Sequence, residues 1–93
     1  MPDDKKVTVT VSGGRISVSP DPVKPQKGVH KVKWESDNQF TINLPGHTVD
    51  HKQEGSKFVA FAGAFDTVKK HKYDVSSPGA ETLDPEVDVQ PGP

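Results

Sequence analysis

The sequence predicts an all-β fold, a small antiparallel Greek-key β-sandwich or barrel of about seven short strands. Apolar and polar residues alternate with a period of two along several stretches, as in strands that bury one face. Eight glycines and nine prolines break these stretches at intervals of roughly ten residues, a spacing typical of sandwich turns. No stretch shows the period of a long helix.

The first half of the chain contains four such stretches. Strands are predicted over residues 7–11, 16–19, 32–34 and 40–44. The pair Gly13-Gly14 predicts a tight hairpin, because both glycines tolerate positive φ. Three prolines between residues 20 and 28 exclude a central strand, so this segment is predicted to be a loop or an edge crossing. Asp37-Asn38 predicts the next turn, and Pro45-Gly46 ends the fourth strand.

The second half is less regular. Strands are predicted over residues 58–65, 73–75 and 87–89. A short helix is the alternative for residues 58–65, where alanines and Gly63 blur the period. Residues 46–56 are polar and are predicted to form a loop. The whole chain, residues 1–93, is predicted to be one β-sandwich domain, frayed over 1–5 and 90–93.

Composition limits the classes of function. Only 30% of the residues are hydrophobic, and the formal charge is −1, which argues against a protein dominated by nucleic-acid or membrane electrostatics. The absence of cysteine excludes disulfides, thiolate metal sites and a thiol nucleophile. No apolar run predicts a membrane span or a signal peptide. The compartment stays open between the cytoplasm and export with a leader removed.

Two segments resemble cupredoxins. The first runs from Ile16-Ser-Val-Ser-Pro20 through Gly28 to the Val32-Lys-Trp34 strand, and the second from Tyr73-Asp-Val75 through Pro78-Gly79 to the valine-rich strand ending at Val89. The resemblance implies a cupredoxin-like sandwich. It also implies where the ligands of a blue-copper site would lie.

Those ligands are missing from this chain. Gln39 and Phe40 occupy the neighbourhood of the first histidine, and Val75 occupies the position of the cysteine. The loop that would supply the second histidine and the methionine holds Pro78, Gly79, Ala80 and Leu83, and Met1 is the only methionine. A type-1 copper site needs a thiolate and two imidazoles, so it is excluded and no cofactor is predicted.

His47 and His51 are the remaining metal-ligand candidates. They lie four residues apart beside Asp50 and Glu54, and one helical turn would bring both imidazoles to a Zn²⁺, Cu²⁺ or Ni²⁺ ion. Glycines at both ends favour a polar loop instead. His30 and His71 stand among lysines and are predicted to be surface strand residues.

The leading hypothesis is a non-enzymatic interaction or accessory domain, monomeric, that binds an unidentified protein partner. Lys69, Lys70 and Lys72 form a short basic patch and are the candidate partner contacts. A metal-binding or metal-delivery protein that uses His47 and His51 is the alternative. No nucleophile elbow or phosphate loop supports an enzyme such as a hydrolase. Trp34 shares its parity with Val32, which favours a core position over a nucleic-acid stacking platform.

Overall fold

A computed structural model describes residues 5–19, 21, 23–63 and 65–91. Within these residues the fold is all-β and contains no helix. Nine strands form three sheets. Their bounds are β1 Lys5–Ser12, β2 Arg15–Ser19, β3 Val32–Ser36, β4 Thr41–Asn43, β5 Asp50–Glu54, β6 Lys57–Ala62, β7 Lys70–Lys72, β8 Asp74–Ser76 and β9 Glu86–Asp88.

The largest sheet has five strands in the order β2-β1-β3-β6-β5. The predicted hairpin joins β1 to β2, with Gly13 and Gly14 at φ of 60° and 76° and Ser12 paired with Arg15. β1 pairs with β3 in parallel, whereas the other pairs of this sheet are antiparallel. The prediction of an entirely antiparallel fold is therefore wrong for the pair of β1 and β3 in the middle of this sheet.

Two smaller sheets complete the fold, one formed by β4 and β8 and the other by β7 and β9. The proline-containing segment after β2 reaches them as an edge crossing, because Val23 and Gln26 make parallel bridges to Val87 and Gln90. No sheet in the described residues closes on itself. The result is a sandwich-like arrangement rather than a barrel, with nine strands where about seven were predicted.

The core lies between the large sheet and the two small ones. Alternate residues of β1 and β3 meet apolar residues of β4, β8 and β9 in one buried cluster. At its centre the Trp34 Nε1–H donates to the Tyr73 hydroxyl over 3.0 Å, and the two rings meet edge to face at 5.2 Å. Aromatic pairs prefer this geometry, and the bond joins the two layers.

Two strands lie where the sequence predicted none. β5 lies within the polar segment 46–56, and β7 precedes the predicted strand at Tyr73. Lys5 already belongs to β1, and Gln90 donates to the Pro25 carbonyl. Fraying therefore does not extend to these two residues, and residues 1–4, 92 and 93 lie outside the described ones.

Candidate functional site

An aromatic cluster of His47, Phe65 and His71 lies at one end of the sandwich. The ring centres of His47 and His71 are 4.8 Å apart and their planes are nearly perpendicular, at 89°. Phe65 meets His47 edge to face at 5.2 Å and stacks on His71 at 5.8 Å. Each ring therefore contacts the other two.

Local structure fixes each member of this histidine cluster. His47 follows the turn after β4, where its N–H donates to the Leu44 carbonyl. Phe65 is almost fully buried, and its carbonyl accepts a 2.7 Å bond from the N–H of Gly28. His71 sits on β7 opposite Val87, a core residue, which turns its side chain inward.

The surroundings of His71 disfavour the charged form of its imidazole. Burial lowers the pKa of His71, and the neighbouring His47 and Lys69 lower it further. Its Nε2 atom is buried and has no hydrogen-bond partner within the described chain. An unpartnered buried nitrogen is costly, and in native proteins it calls for an explanation.

His51 lies apart from this cluster. It is on strand β5, where its Nε2 accepts a 3.0 Å hydrogen bond from the Ile42 N–H. Residues 46–54 form a turn and a strand, so the helical turn that would bring His47 and His51 together does not form. His30 is also engaged, because its Nδ1 accepts from the Gln26 N–H at 3.0 Å.

A second candidate site lies on the outer face of the large sheet, around Phe61. Phe61 on β6 is half-buried. The ammonium group of Lys33 lies 5.5 Å from the centre of its ring, and that of Lys52 lies 5.2 Å from it. An open cavity of about 220 Å³ adjoins the ring and is lined by Lys31, Asp50, Lys52 and Phe61. We call these residues, with Lys33, the Phe61 patch.

Beside the Phe61 patch, this face carries a network of ion pairs that lies over the buried side chain of Val59. Val59 is buried yet lies outside the core cluster, because its paired neighbours Glu35 and Lys52 stand on the outer face with it. Glu35 contacts Lys6 at 3.5 Å and Lys57 at 3.4 Å. Burial raises the pKa of Glu35, but these two lysines outweigh it and hold the pKa below its usual value.

The basic run of Lys69, Lys70 and Lys72 lies beside acidic residues. In the β7–β9 pair, Lys70 stands opposite Asp88 and Lys72 opposite Glu86. Opposite charges in directly paired positions partly cancel each other's field. The run is thus less positive in the folded protein than along the sequence.

Two contacts involve positions where the resemblance implies copper ligands. Val75 is fully buried and exchanges two backbone hydrogen bonds with Leu83. The Gln39 carbonyl accepts a 2.6 Å hydrogen bond from the hydroxyl of Ser77, which is not one of those positions. None of these residues supplies the thiolate or the imidazoles that a blue-copper site needs.

Two functional candidates were missed by the sequence predictions. His71 shares its parity with Tyr73 and Val75, so extending that alternation backward by two residues would have placed it inside. Phe61 lies in a run that is apolar on both parities, which indicates a strand covered on both faces. The lysines beside His71 make its segment resemble an exposed strand, and the alanines beside Phe61 obscure the period of its run.

Among the described residues, no group of three or more histidine, cysteine or carboxylate side chains is arranged to hold a metal ion, and no helix could cross a membrane. Comparison with models of protein families, with curated proteins and with solved structures finds no match to this chain.

Proposed function

We propose that this protein is a non-enzymatic interaction domain, built on a cupredoxin-like Greek-key sandwich without a type-1 copper site, that binds an acidic protein segment through the Phe61 patch. The observation that carries the proposal is the half-buried Phe61 ring, flanked by two lysines beside an open cavity.

The proposal of a cupredoxin-like fold is supported by contacts between segments that are far apart in the sequence. Parallel pairing of β1 with β3, and of Val23 with Val87, links strands that are far apart in sequence. Trp34 of the first resembling segment bonds to Tyr73 of the second. The ends of the two segments also converge where Ser77 bonds to Gln39. These contacts support the proposal that the two segments form one cupredoxin-like core.

The Phe61 patch has the composition of a contact surface. Aromatic residues are enriched in the centre of protein interfaces, and polar and charged residues surround them at the rim. Lys33 is paired with Glu54 at 3.6 Å, whereas Lys31 and Lys52 border the cavity with Asp50 as the carboxylate among the lining residues. The cavity rim therefore carries a net positive charge.

This charge defines the partner. A carboxylate would pair with Lys31 or Lys52 while a neighbouring aliphatic side chain packs on the Phe61 ring. Burying an aliphatic side chain supplies affinity, and the charge pair supplies orientation and selectivity. The fitting occupant is a protein segment that alternates acidic and aliphatic residues.

The Lys69, Lys70 and Lys72 patch is the weaker alternative. Its lysines stand opposite Glu86 and Asp88, so an acidic partner would compete with charges already in place. Val68 is exposed at its edge but has no cation–aromatic arrangement around it. We therefore assign the partner contact to the Phe61 patch and use the β7 lysines as the control.

The test is an amide NMR titration with a synthetic peptide of alternating glutamate and leucine. We expect saturable shifts confined to the outer-face residues of β3, β5 and β6, and a loss of affinity of at least ~5-fold in Phe61→Ala and in Lys52→Ala. Lys72→Ala should leave the affinity unchanged within about twofold.

A matched peptide with lysine in place of glutamate distinguishes recognition of charge from non-specific hydrophobic binding. It should bind at least ~10-fold more weakly, because it meets Lys31 and Lys52 with like charge. Equal binding of both peptides, an absence of binding, or a loss of affinity in Lys72→Ala but not in Phe61→Ala would each refute the proposed surface.

A further inference from the structure

We propose that His47 and His71 form a two-imidazole site for a borderline divalent transition cation, of which Zn²⁺ and Cu²⁺ are the common examples. The site is distinct from the predicted His47 and His51 pair, and it does not depend on the Phe61 patch. Its basis is the contact between the two rings together with the unpartnered Nε2 of His71.

The unpartnered nitrogen is the first argument. The Nε2 of His71 is shielded from solvent and has no hydrogen-bond partner in the described chain. Leaving such an atom unsatisfied costs about 1–3 kcal/mol. A neutral imidazole nitrogen is the commonest side-chain ligand of metal ions in proteins. Binding an ion would therefore remove an existing penalty.

Ring spacing is the second argument. Two imidazoles that share a Zn²⁺ ion hold their nitrogens about 2.0–2.1 Å from it, which places the ring centres roughly 4.5–5.5 Å apart at ordinary coordination angles. The ring centres of His47 and His71 are 4.8 Å apart. Both side chains are already fixed against Phe65, so little ordering is needed on binding.

The number of ligands sets the strength of the site. Two protein ligands leave the other coordination positions to water, and the positive charge of Lys69, two residues from His71 in the chain, opposes a cation. We expect a labile site rather than a structural four-ligand site.

The aromatic surroundings select the type of cation. Mg²⁺ and Ca²⁺ require several oxygen ligands, and the cluster presents imidazole and phenyl rings. Borderline ions such as Zn²⁺ accept imidazole readily. Discrimination between Zn²⁺ and Mg²⁺ is therefore a direct signature of the site.

The test is calorimetric titration of the full chain with Zn²⁺ and, as the negative control, with Mg²⁺. We expect one Zn²⁺ site and no heat from Mg²⁺. His71→Phe, which keeps a ring at this half-buried position, and His47→Gln, at a half-buried turn, should each weaken Zn²⁺ binding at least ~10-fold. His51→Ala and His30→Ala should change it by less than about twofold.

A spectroscopic measurement guards against misfolded variants. In the wild-type protein, Zn²⁺ should shift the imidazole ¹⁵N resonances of His47 and His71 and leave those of His51 unmoved. Absence of Zn²⁺ binding, shifts at His51 instead of His71, or full retention of affinity in His71→Phe would overturn the proposal. In the first case the cluster is aromatic packing alone.

Discussion

Among the side-chain hydrogen bonds of the described residues, the one between Trp34 and Tyr73 is the most buried. Both side chains are fully buried, and burial raises the pKa of Tyr73 to about 12 although the bond from Trp34 opposes that shift. The phenol therefore stays protonated at physiological pH, and its oxygen accepts the indole N–H. This single contact joins the large sheet to the segment between β7 and β8.

Tyr73→Phe should destabilise the protein by about 1–3 kcal/mol, because it leaves the Trp34 N–H buried without an acceptor. Urea unfolding followed by Trp34 fluorescence measures the change. The loss should shrink in Trp34→Phe/Tyr73→Phe relative to the sum of the single variants, as a double-mutant cycle monitored by circular dichroism would show. Additive single-variant effects would mean that the hydrogen bond contributes nothing.

Single residues also show where pattern reasoning succeeds. Trp34 was placed in the core because it shares parity with Val32, and it is fully buried. His71 obeys the same parity rule with Tyr73, although the lysines that flank it predict a surface position. Side-chain direction on a strand follows the two-residue period and not the polarity of the neighbours. The contact between His71 and His47 depends on tertiary geometry that no local pattern contains.

At the scale of elements, β5 is held by pairing rather than by its own apolar residues. All five of its residues, Asp50–Glu54, are exposed, so the sequence offers no alternation that would predict a strand. The strand forms because β6 provides a hydrogen-bonding edge, with Asp50 to Glu54 paired to Phe61 to Lys57. Charged residues on such an edge oppose pairing with other chains, consistent with the proposed monomer.

β5 has a second attachment through His51. Ile42 is paired with Val75 of β8, but the N–H and the carbonyl of Val75 are both hydrogen-bonded to Leu83. The N–H of Ile42 therefore makes no bond to Val75 and points toward β5. There it donates to the His51 Nε2 at 3.0 Å. An imidazole on the large sheet thus completes the open edge of β4.

His51→Ala should remove this acceptor and loosen β4 without unfolding the protein. We expect the amide of Ile42 to exchange with solvent about 5- to 10-fold faster, the change that corresponds to one net hydrogen bond. Gln53→Ala, two residues along the same strand, is the matched control and should leave Ile42 protected. Unchanged exchange in His51→Ala would show that the contact is not formed in solution.

The two small sheets mark the limit of sequence prediction at this scale. The strands around Tyr73 and Val87 were predicted from apolar alternation and are present. β7 was missed because its residues Lys70–Lys72 include no aliphatic side chain. The parallel pairing of β1 with β3 was also missed, because strand direction within a sheet depends on connections between distant segments.

At the scale of the whole molecule, charge is compensated locally. The lysines of β7 lie beside the carboxylates of β9, and Glu35 lies between Lys6 and Lys57 on the outer face. The lysines of β7 and the carboxylates of β9 therefore do not lie at opposite ends of the molecule. This arrangement leaves the Phe61 patch as a local rather than a global electrostatic feature.

The histidine cluster should make global stability depend on pH in mildly acidic solution. The pKa of His71 is lower in the folded protein than its ordinary value of 6.5, so the unfolded chain binds more protons in the window just below that value. Stability then falls as the pH decreases through the window, since protons favour the unfolded state. The pKa of Glu35 is also lowered, from an ordinary value of 4.5. Glu35 therefore makes the free energy of unfolding fall with decreasing pH as well, but in a more acidic window.

His71→Phe separates the two contributions. It removes the titrating imidazole from this half-buried position, so the variant should lose the decline in stability that begins near pH 6.5 while retaining the decline below about pH 4.5. Denaturant unfolding at intervals from pH 8 to pH 4, without metal, measures both. Because Zn²⁺ would bind the same neutral imidazole, its addition should steepen the wild-type pH dependence and leave that of His71→Phe unchanged. A wild-type protein whose stability is flat between pH 7 and pH 5 would show that His71 titrates normally and is accessible to solvent.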